Sequence, residues 1–595
     1  MHRPMVFSWI AAAVAVASVA TGCQDAAPEL AAETAPIGIT VGALAACGNP
    51  KGSQNPFADI KTFELWVREL KGGKMVRVDA TNNPQSLPLG TGAKSVTFAD
   101  VSASSDPREV TLVGYGATKA AVWFARKGGV VVKKTQTNVI DMTLMAIEGF
   151  TCLKPTTGVV PNLMFTAATK IDNGRVLITG GFSNAATVGT DIELESPVDT
   201  AYIFDPGTGE LLRLPKQMKS PRAGHSMIYL SDRNQVLIVG GALRMRVKAN
   251  NAEPPRWKPE DGVNVAYEVY DVTKNEFFSG KGQEFARKRV LPNLMLLQGN
   301  FVAVLGGAVW PVADDQSYRE SDLYDPSPLT PTDFVGSFVN TLAGLPLNIA
   351  RAGAALAYAG TTVGTGTARY LVWGGNGPRT SDNDFGKPAE RFKESTELGR
   401  GEFFDGFVLE GDYAQTAGKP LFFPTLTTLN SLRDKEGKPL DDGRFLSVGG
   451  VRYDVKAKAW LPPDPGEVWL LTLTEPTAIK SGRIGTKKVG ALSSGIFLHQ
   501  ANPAGAEHVI LTGGFSAFGQ PATFTMQAFD TTTGVMLPGT ALPAAKDFVK
   551  RGGHTGLTMS NDCVLLFGGI DDVANLKSQS AGTTDIYCPK TLLPK

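Results

Sequence analysis

The chain has 595 residues, of which 58 are Lys or Arg and 57 are Asp or Glu, so its formal net charge is +1. This balance excludes the strong positive charge of nucleic-acid-binding domains, and we expect no nucleic-acid partner. Hydrophobic residues make up 43% of the chain and charged residues 19%, which excludes a mostly disordered protein, while 66 glycines favour an all-β fold rich in tight turns.

The N-terminus has the pattern of an export signal. His2 and Arg3 precede a mostly apolar run over residues 5–19, and small residues lead from there to Cys23. A basic start, a short apolar stretch and a small-residue junction predict a secretory signal peptide over residues 1–22. The apolar run is shorter than the ~20 residues that a membrane-spanning helix needs.

The end of this signal carries a lipidation motif. Thr21-Gly22-Cys23 resembles the lipobox of bacterial lipoproteins, in which the cysteine becomes the lipidated first residue. The resemblance implies that Cys23 anchors the chain to a membrane. With Gln24 after the cysteine, it implies an exported protein held in the outer membrane of a Gram-negative bacterium. The alternative is an ordinary soluble secretory protein in which Cys23 is incidental.

Two segments are predicted between the anchor and the repeats described below. Residues 23–46 are rich in Ala, Pro and Glu without a periodic pattern and are predicted to be a flexible tether. Residues 47–152 contain six or so short segments of alternating apolar and polar residues, such as Thr62–Arg68, separated by turn residues. Short strands at this spacing predict an antiparallel β-sandwich, Ig-like or fibronectin-like, and that analogy implies no function.

The remaining cysteines fit an oxidising compartment, where disulfides persist. We expect the pairs Cys47–Cys152 and Cys563–Cys588, because each pair brackets one structural unit. Cys563 begins one predicted strand and Cys588 ends the next, and such ends lie opposite each other in an antiparallel pair. The alternative pair, Cys152–Cys588, would join the ends of the larger domain. None of the spacings fits a zinc site.

The strongest signal is a repeat from residue 153 onward, in which an apolar strand ends in Gly-Gly seven times. The first glycines of these pairs are Gly180, Gly240, Gly306, Gly374, Gly449, Gly513 and Gly568. Other elements recur in phase. Strand openings such as Arg222-Ala-Gly-His225 precede several pairs, and strands ending in an aromatic residue and Asp, such as Tyr270-Asp271, follow them.

This pattern resembles the kelch repeat, in which four antiparallel strands form one propeller blade. The resemblance implies an all-β, seven-bladed kelch-type β-propeller over residues 153–595. A single blade cannot cover both of its faces, so neighbouring blades must do so in a closed ring. Little chain remains for the fourth strand of the last blade, which must come from residues 589–595 or from the segment after Cys152. Blade 5 lacks the aromatic-Asp step, and we expect it to be the least regular.

Long insertions follow the glycine pairs, at residues 181–200, 242–264, 308–320, 376–401 and 451–465. In an up-and-down blade these loops emerge on one face, and loops on a rigid scaffold are the usual place for binding. Arginine and aromatic side chains suit a protein or glycan ligand, although each residue taken singly has a solvated loop position as its alternative. The candidate ligand-binding residues are Arg244, Arg246, Trp257, Trp310, Asn376, Arg379 and Asp382.

The sequence offers little for catalysis. His225 and His554 occupy the same repeat position, where a structural hydrogen bond is the expected role. The kelch family includes galactose-oxidase-like copper enzymes, which need two His, two Tyr and a Cys linked to one Tyr, whereas the cysteines after Cys23 can all be paired here. We therefore predict no catalytic residue, metal site or cofactor.

The expected function is that of a non-catalytic, envelope-anchored binding or scaffold protein, which recognises a protein or polysaccharide through the insertion face. A galactose-oxidase-like or other carbohydrate-active enzyme on the same scaffold is the first alternative. A purely structural spacer of the envelope is the second.

Overall fold

The computed structural model of the chain describes most of the repeat region and much of the segment before it. The described residues are 34–43, 59–68, 75–77, 94–134, 138–153, 162–189, 191–247, 256–258, 267–280, 288–307, 320–327, 335–339, 346–348, 350–361, 367–376, 389–394, 401–404, 408–411, 421–430, 442–454, 456–457, 459–463, 465–474, 483–505, 507–517, 520–522, 524, 526–539, 542, 548–571, 584–590 and 593. Nearly all regular structure in these ranges is β-strand, which confirms the predicted all-β class. Short 3-10 turns occur at Asp172–Gly174, Ser231–Arg233 and Gln298–Asn300. None of the described helical turns has the length and apolar character needed to cross a membrane.

Seven strands form an N-terminal sheet. They are β1 (Thr34–Ala43), β2 (Thr62–Arg68), β3 (Met75–Arg77), β4 (Lys94–Ser102), β5 (Ser104–Tyr115), β6 (Ala121–Val132) and β7 (Asn138–Ala146). Their order is β3-β2-β5-β6-β7-β1-β4, and β1 and β7 are the parallel pair. Buried side chains from β1, β2 and β4 to β7 meet in one apolar cluster. The sheet therefore curls around a single core.

The structure corrects two predictions for this region. Strand β1 lies inside the predicted tether, because Ile37, Ile39 and Val41 alternate along it and are fully buried. That period of two is short and stands among Ala, Pro and Gly, so the composition concealed it. The second correction concerns the sandwich. Because β1 pairs with β4 on one side and β7 on the other, the strands form one continuous sheet instead of two.

Seven further sheets of the described chain share one topology, and we number them 1 to 7 in chain order. In each, consecutive strands lie side by side from an inner strand to an outer one. Sheet 1 contains β9 (Ala167–Lys170), β10 (Val176–Thr179), β13 (Ala201–Asp205) and β14 (Glu210–Arg213). Sheet 2 contains β15 (Ser226–Leu230), β16 (Gln235–Val239), β19 (Tyr267–Asp271) and β20 (Glu276–Ser279). Sheet 3 contains β21 (Asn293–Leu296), β22 (Val302–Leu305), β23 (Asp322–Asp325) and β24 (Ser337–Val339).

Sheets 4 to 7 follow the same order. Sheet 4 contains β25 (Ala352–Thr361), β26 (Ala368–Asn376), β27 (Ala389–Glu394) and β28 (Gly401–Phe404). Sheet 5 contains β30 (Thr425–Asn430), β31 (Asp442–Val448), β34 (Glu467–Thr474) and β35 (Arg483–Ala491), with β29 (Val408–Gly411) added parallel to β35. Sheet 6 contains β36 (Gln500–Ala504), β37 (His508–Thr512), β38 (Met526–Asp530) and β39 (Val535–Met536). Sheet 7 contains β40 (Thr555–Thr558), β41 (Val564–Phe567), β42 (Thr584–Tyr587) and β8 (Phe150–Leu153).

The Gly-Gly pairs join each of these sheets to the next. The second glycine of each pair donates its N–H to a backbone carbonyl just before the next inner strand, with N···O distances of 2.7–3.0 Å. The accepting residues, in chain order of their donors, are Arg222, Arg289, Arg351, Leu421, Ile496, Arg551 and Leu163. The last acceptor precedes the inner strand of sheet 1, and β40 contacts β9. The hydrogen bonds between sheets therefore run from sheet 1 through sheets 2 to 7 and back to sheet 1.

The first glycine of each pair must lack a side chain. At Gly513, φ is 58°, and a Cβ would lie 2.1 Å from the carbonyl oxygen of Arg551. The equivalent Cβ at Gly180 would lie 2.2 Å from the carbonyl oxygen of Arg222. The close approach of neighbouring sheets at this point explains why glycine recurs there.

The outer strand of sheet 7 comes from the N-terminal side of the repeats. Strand β8 pairs with β42, with Cys152 opposite Asp585. The sequence analysis named residues 589–595 and the segment after Cys152 as candidates for this strand. The strand is instead β8, which begins at Phe150 and contains Cys152. Between β7 and β8 the chain also binds sheet 7, because the N–H of Glu148 donates to the carbonyl of Cys588 at 2.8 Å. The N-terminal sheet is therefore attached directly to sheet 7.

One predicted disulfide is confirmed. Cys563 and Cys588 are bonded, with 4.5 Å between their Cα atoms. This bond excludes the alternative pair Cys152–Cys588. Cys152 is also disulfide-bonded, and its partner lies outside the described residues. Cys23 and Cys47 lie outside them too, so Cys47–Cys152 stays a prediction.

Candidate functional site

The starts of the seven inner strands surround a cavity of about 290 Å³, which we call the axial cavity. Each sheet contributes residues from one equivalent position, and all seven residues at that position have a positive φ between 51° and 64°. They are Phe165, Gly224, Leu291, Gly353, Phe423, Leu498 and Gly553. Their backbones are linked around the axis, as where Gly224 donates to the carbonyl of Phe165 at 2.9 Å and Phe165 donates to that of Gly553 at 3.0 Å. The cavity is thus built from all seven sheets.

The wall of the axial cavity is polar but carries no Lys, Arg, Asp or Glu among its described residues. Hydroxyl and amide side chains from the inner strands bridge neighbouring sheets along it. Ser226 donates to the carbonyl of Pro292 at 2.6 Å, and Gln500 donates to the carbonyl of His554 at 3.0 Å. Thr555 donates to the carbonyl of Thr166 at 2.6 Å. These bonds fix the polar groups in place around the cavity.

Three histidines line the axial cavity and are almost fully buried: His225, His499 and His554. Nε2 of His225 lies 2.7 Å from Oγ1 of Thr179, and Nε2 of His554 lies 3.0 Å from Oγ1 of Thr512. The structural hydrogen-bonding role predicted for His225 and His554 is confirmed by these contacts. Within the described chain, Nδ1 of all three rings has no hydrogen-bond partner.

Burial keeps these three imidazoles neutral. It lowers the pKa of His499 to about 3, and a backbone hydrogen bond with Val448 opposes this shift. Burial also lowers the pKa values of His225 and His554 well below the ordinary range, and the neighbouring Arg222 and Arg551 guanidinium groups add to the effect. A neutral imidazole is the only form that the interior tolerates there.

Beside the cavity, buried arginines form ion pairs that the sequence analysis missed. In sheet 2, Arg222 donates to the carbonyl of Gly240 at 2.9 Å and to Oε1 of Glu268 at 2.7 Å. Both side chains are almost fully buried, at 1% and 2% exposure. Burial lowers the pKa of Arg222, and the charge of Glu268 opposes that shift. The same arrangement recurs as Arg289–Asp322 in sheet 3 and as Arg551–Asp585 in sheet 7.

An apolar cluster, which we call the collar, borders the axial cavity. Side chains that precede the inner strands or follow the glycine pairs meet there in a single cluster, whose larger members include Met164, Phe182, Phe422, Phe497, Phe515 and Ile570. Phe165 and Leu498 of the axial cavity belong to the same cluster. The collar therefore joins the seven sheets on the side where the insertions leave them.

The first two insertions form an accessory sheet over this collar. It contains β11 (Phe182–Val188), β12 (Asp191–Pro197), β17 (Arg244–Val247) and β18 (Arg256–Lys258), in that order. Ile192, Leu194 and Met245 pack into the collar from one face of the sheet. The insertion after the fifth glycine pair adds a hairpin of β32 (Arg452–Asp454) and β33 (Ala459–Leu461). Trp460 of this hairpin also joins the collar.

Two predicted ligand-binding residues come together on the accessory sheet. Arg244 donates to Oε1 of Glu193 at 3.0 Å, and Arg246 donates to Oε2 of the same carboxylate at 2.7 and 3.0 Å. The Glu193 side chain is 6% exposed, whereas those of Arg244 and Arg246 are 57% and 37% exposed. Glu193 thus holds two guanidinium groups at the surface.

The other predicted ligand-binding residues do not join this pair in the described structure. Trp257 lies in β18 opposite Met245, and Asn376 ends β26 opposite Ala352. Trp310, Arg379 and Asp382 lie outside the described residues. The predicted insertion 376–401 includes β27, so part of it is the third strand of sheet 4. That strand lacks the aromatic-Asp step that marks the third strands of sheets 1, 2, 3 and 6.

Across the described ranges, no three His, Cys, Asp or Glu side chains are grouped as a metal site requires. No protein-family model matches the chain. No match to a curated protein is found either.

Two solved structures illustrate what the chain is similar to in shape. One is a "Novel fungal alcohol oxidase with catalytic diversity among the AA5 family, in complex with copper"; it is 15% identical, with a TM-score of 0.45 over 74% of this chain and 78% of that one. The other, the structure of YjhT, is 11% identical, with a TM-score of 0.35 over 64% of this chain and 98% of that one. Likenesses this distant carry no functional assignment.

Proposed function

We propose that the chain is an exported, lipid-anchored, seven-bladed kelch-type β-propeller that acts as a non-catalytic binding protein for an acidic polysaccharide. Sheets 1 to 7 are the blades in this proposal, and the accessory sheet is the binding face. Support for the ring comes from the seven Gly-Gly hydrogen bonds, the last of which joins Gly569 to Leu163. Radial closure leaves each blade covered by two neighbours, which a single four-stranded sheet cannot achieve alone.

The observation that carries the binding proposal is the arginine pair on Glu193. Both carboxylate oxygens are occupied, so Arg244 and Arg246 are held in fixed positions while each side chain remains well exposed. A guanidinium group has five N–H donors in a planar fork, and the contacts to Glu193 use only some of them. The remaining donors suit the carboxylate or sulfate groups of a ligand.

Basic residues also occupy paired positions in the register of β17 and β18. Arg246 lies opposite Arg256, and Arg244 lies opposite Lys258 in the register of the two strands. The two strands therefore carry four basic residues at paired register positions.

The chemistry of the same face favours a polysaccharide over a protein. Protein interfaces bury apolar and aromatic side chains at their centres. On the outward side of the accessory sheet Asn184 donates to Oε1 of Glu195 at 2.9 Å, and the small side chain of Ala186 lies opposite Glu193. Val188 is a large apolar side chain exposed there, and it lies at the end of strand β11. A charged and largely polar surface matches a hydrated acidic polymer.

The test is binding of the intact chain to polygalacturonate, with dextran as the uncharged polymer. We expect salt-sensitive binding to polygalacturonate alone, and a loss of about 100-fold or more in the double variant R244Q/R246Q, since it removes two charge-assisted hydrogen bonds, each worth about 1.5–3 kcal/mol. R483Q is the matched control, because Arg483 is an equally exposed arginine on sheet 5 with a carboxylate partner, Glu410, at 3.4 Å.

Equal binding to dextran would contradict the proposal, as would undiminished binding by R244Q/R246Q. Dextran sulfate serves as a sulfated probe. Absence of binding to polygalacturonate and also to dextran sulfate would overturn the proposal, and so would binding of an acidic protein in place of these polymers. Each outcome therefore decides between the polysaccharide and its rivals.

The anchor in this proposal depends on Cys23. The variant C23S should move the protein from the membrane fraction to the soluble fraction of the envelope, and it should abolish labelling by radioactive palmitate. Unchanged fractionation and labelling would contradict the lipid anchor.

The oxidase alternative is tested separately by metal analysis: stoichiometric copper together with hydrogen peroxide release from galactose would replace the binding function by a catalytic one.

A further inference from the structure

We propose that one end of the N-terminal sheet, where β6 ends and β7 begins, contacts the headgroup layer of the membrane. We call this part the outer end and define it by Val131, Lys133, Lys134 and Val139. The inference rests on the proposed lipid anchor at Cys23 and goes beyond it, because an anchored chain need not touch lipid with its folded part.

The outer end exposes apolar side chains. Val139 in β7 is 69% exposed, the largest exposed fraction among the large apolar side chains that the structure describes, and Val131 in β6 is 38% exposed. Asn138 joins the two strands there. Its Nδ2 donates to the carbonyl of Lys133 at 3.1 Å, and its Oδ1 accepts the N–H of Lys133 at 2.8 Å. The exposed valines therefore flank one fixed end of the sheet.

The chain enters the N-terminal sheet at this same end. Asn138 also donates to the carbonyl of Pro36 at 3.3 Å, and it lies opposite Ile37 in the parallel register of β1 and β7. Strand β1 begins at Thr34, eleven positions after Cys23. A chain of that length spans at most about 40 Å. A lipid on Cys23 therefore keeps the outer end close to the bilayer.

Sheets 1 and 7 contact a different part of the N-terminal sheet. Arg126 of β6 forms an ion pair with Asp562 of sheet 7, with 3.1 Å between Nη1 and Oδ2. Thr143 of β7 donates to the carbonyl of Gly207, between β13 and β14 of sheet 1, at 3.0 Å. The two ends of β7 are about 27 Å apart at the usual rise of a β-strand. The outer end therefore lies away from the contact with these sheets.

The same contacts determine which way the accessory sheet faces. Asp562 stands just before β41, whereas the pair Gly568-Gly569 follows that strand. Gly207 likewise follows β13, whereas the first insertion precedes it. The N-terminal sheet and the insertions thus lie at opposite ends of these strands. With the outer end on the membrane, the accessory sheet is directed away from the membrane, where a soluble polymer can reach it.

The charges at the outer end indicate a contact that does not depend on anionic lipid. Lys133 and Lys134 are exposed there, and so are the nearby Asp106 and Asp141. These charges balance, so the contact should persist at high salt. Lysine side chains that border an apolar surface extend their ammonium groups to the polar layer. Because the anchor makes the contact intramolecular, it is populated although two valines alone would not hold a free protein at the surface.

The experiment uses the chain without its signal peptide, attached to phosphatidylcholine vesicles by a maleimide lipid on the Cys23 thiol. Cys152, Cys563 and Cys588 are disulfide-bonded and do not compete for the maleimide. This chemical anchor makes the result independent of whether cells lipidate Cys23. The measurement is the rate at which individual lysines are acetylated by an N-hydroxysuccinimide ester, read by mass spectrometry.

Lys133 should react about tenfold more slowly on vesicles than in the lipid-free chain, as expected for a contact populated roughly ten times as often as it is absent. High salt should leave this protection unchanged. Lys456 is the internal control, because it is exposed between β32 and β33, on the side of the insertions. Its rate should be the same with and without vesicles.

V139E is the decisive variant. A carboxylate at this position would have to be desolvated to enter the lipid, so the reactivity of Lys133 should return to its lipid-free value while the anchor keeps the protein on the vesicles. V131E should act in the same direction, and it keeps the test valid if V139E does not fold. V535E is the matched control, because Val535 is a 48% exposed valine on the outer strand of sheet 6. It should retain the protection of Lys133.

Equal reactivity of Lys133 with and without vesicles would overturn the proposal, and so would protection that V139E and V131E leave unchanged. Protection that appears in the concentrated lipid-free chain would identify a second copy of the chain as the occupant and would also overturn it. The proposals fail separately, since palmitate labelling in cells tests the anchor and the chemically anchored chain tests the outer end. R244Q/R246Q should leave the protection of Lys133 unchanged.

Discussion

Replacing Gly513 by alanine should weaken the junction between sheets 6 and 7 much more than the same replacement at Gly534. Both glycines have a positive φ, 58° at Gly513 and 72° at Gly534, so an alanine is strained by the backbone conformation at either position. They differ in their surroundings. A Cβ at Gly534 would meet no atom within 4 Å, whereas a Cβ at Gly513 would lie 2.1 Å from the carbonyl oxygen of Arg551 and 2.7 Å from Cε1 of His554.

The difference in cost follows from this geometry. The left-handed conformation costs alanine about 1–2 kcal/mol at either position. At Gly513 the carbonyl of Arg551 must also retreat by about 0.9 Å to reach 3.0 Å, the shortest distance at which real Cβ contacts occur. That carbonyl accepts the N–H of Gly514 at 2.7 Å, so the shift breaks a hydrogen bond between two sheets. Overpacking adds about 1–3 kcal/mol and the lost bond about 1 kcal/mol, which gives about 3–6 kcal/mol for G513A.

The measurement is unfolding of G513A, G534A and the unaltered chain, by urea and by calorimetry at one scan rate with disulfides intact. G534A should lose about 1–2 kcal/mol and G513A several times as much. Equal losses would mean that the backbone conformation alone explains the recurring glycine. The close contact between sheets would then not be needed to account for the repeat.

Three further predictions follow from the same structure. R222M should destabilise the chain by about 3–5 kcal/mol because it leaves Glu268 buried without its cation, whereas R222M/E268L should lose less; additive losses in urea unfolding would contradict the pairing. T166C/T555C should form a disulfide under mild oxidation, since the two hydroxyl oxygens are 2.7 Å apart across sheets 1 and 7, and a cross-linked peptide in mass spectrometry checks it; reduced cysteines would argue against closure. Burial lowers the pKa of His499 to about 3, below the ~6.5 of the unfolded chain, so stability should fall as the pH drops below 6.5, by at most about 1.4 kcal/mol per pH unit for this residue. H499N should make the stability loss between pH 6.5 and 5 shallower, and identical slopes would contradict the buried neutral imidazole.

The sequence was most informative where one residue type had a single physical explanation. Glycine pairs after apolar strands predicted seven sheet junctions, because a close backbone approach at positive φ admits no other residue there. Cys563 and Cys588 predicted a disulfide because they stand at facing ends of an antiparallel pair. These features depend on local geometry that a repeat displays several times.

The missed features depend on partners far apart in the chain. The accessory sheet joins the insertions after Gly181 and Gly241, and nothing in either insertion alone indicates that pairing. Strand β1 was missed because Ile37, Ile39 and Val41 give too short an alternation to outweigh an Ala- and Pro-rich composition. Both elements became visible only when their partner strands were in place.

The buried ion pairs did leave a signal in the sequence. An acidic residue stands two positions before the aromatic residue of the third strand, as in Glu268-Val-Tyr270, Asp322-Leu-Tyr324 and Asp585-Ile-Tyr587. Each of these sheets has an arginine before its inner strand, whereas sheets 1 and 6 have Leu163 and Ile496 there and lack the acid. Sheet 5 keeps the acid, Glu467, and satisfies it with Arg452 of its hairpin at 2.9 Å. Comparing the two positions across the repeats would have predicted the pairs.

An electron-microscopy reconstruction of the intact chain would test the central claim most directly, because it counts the sheets around the axis. The account predicts seven radial sheets in an unbroken ring, with the strand around Cys152 on the outer edge of the seventh. An open arc, or a different number of sheets, would contradict the closed ring and, with it, the axial cavity.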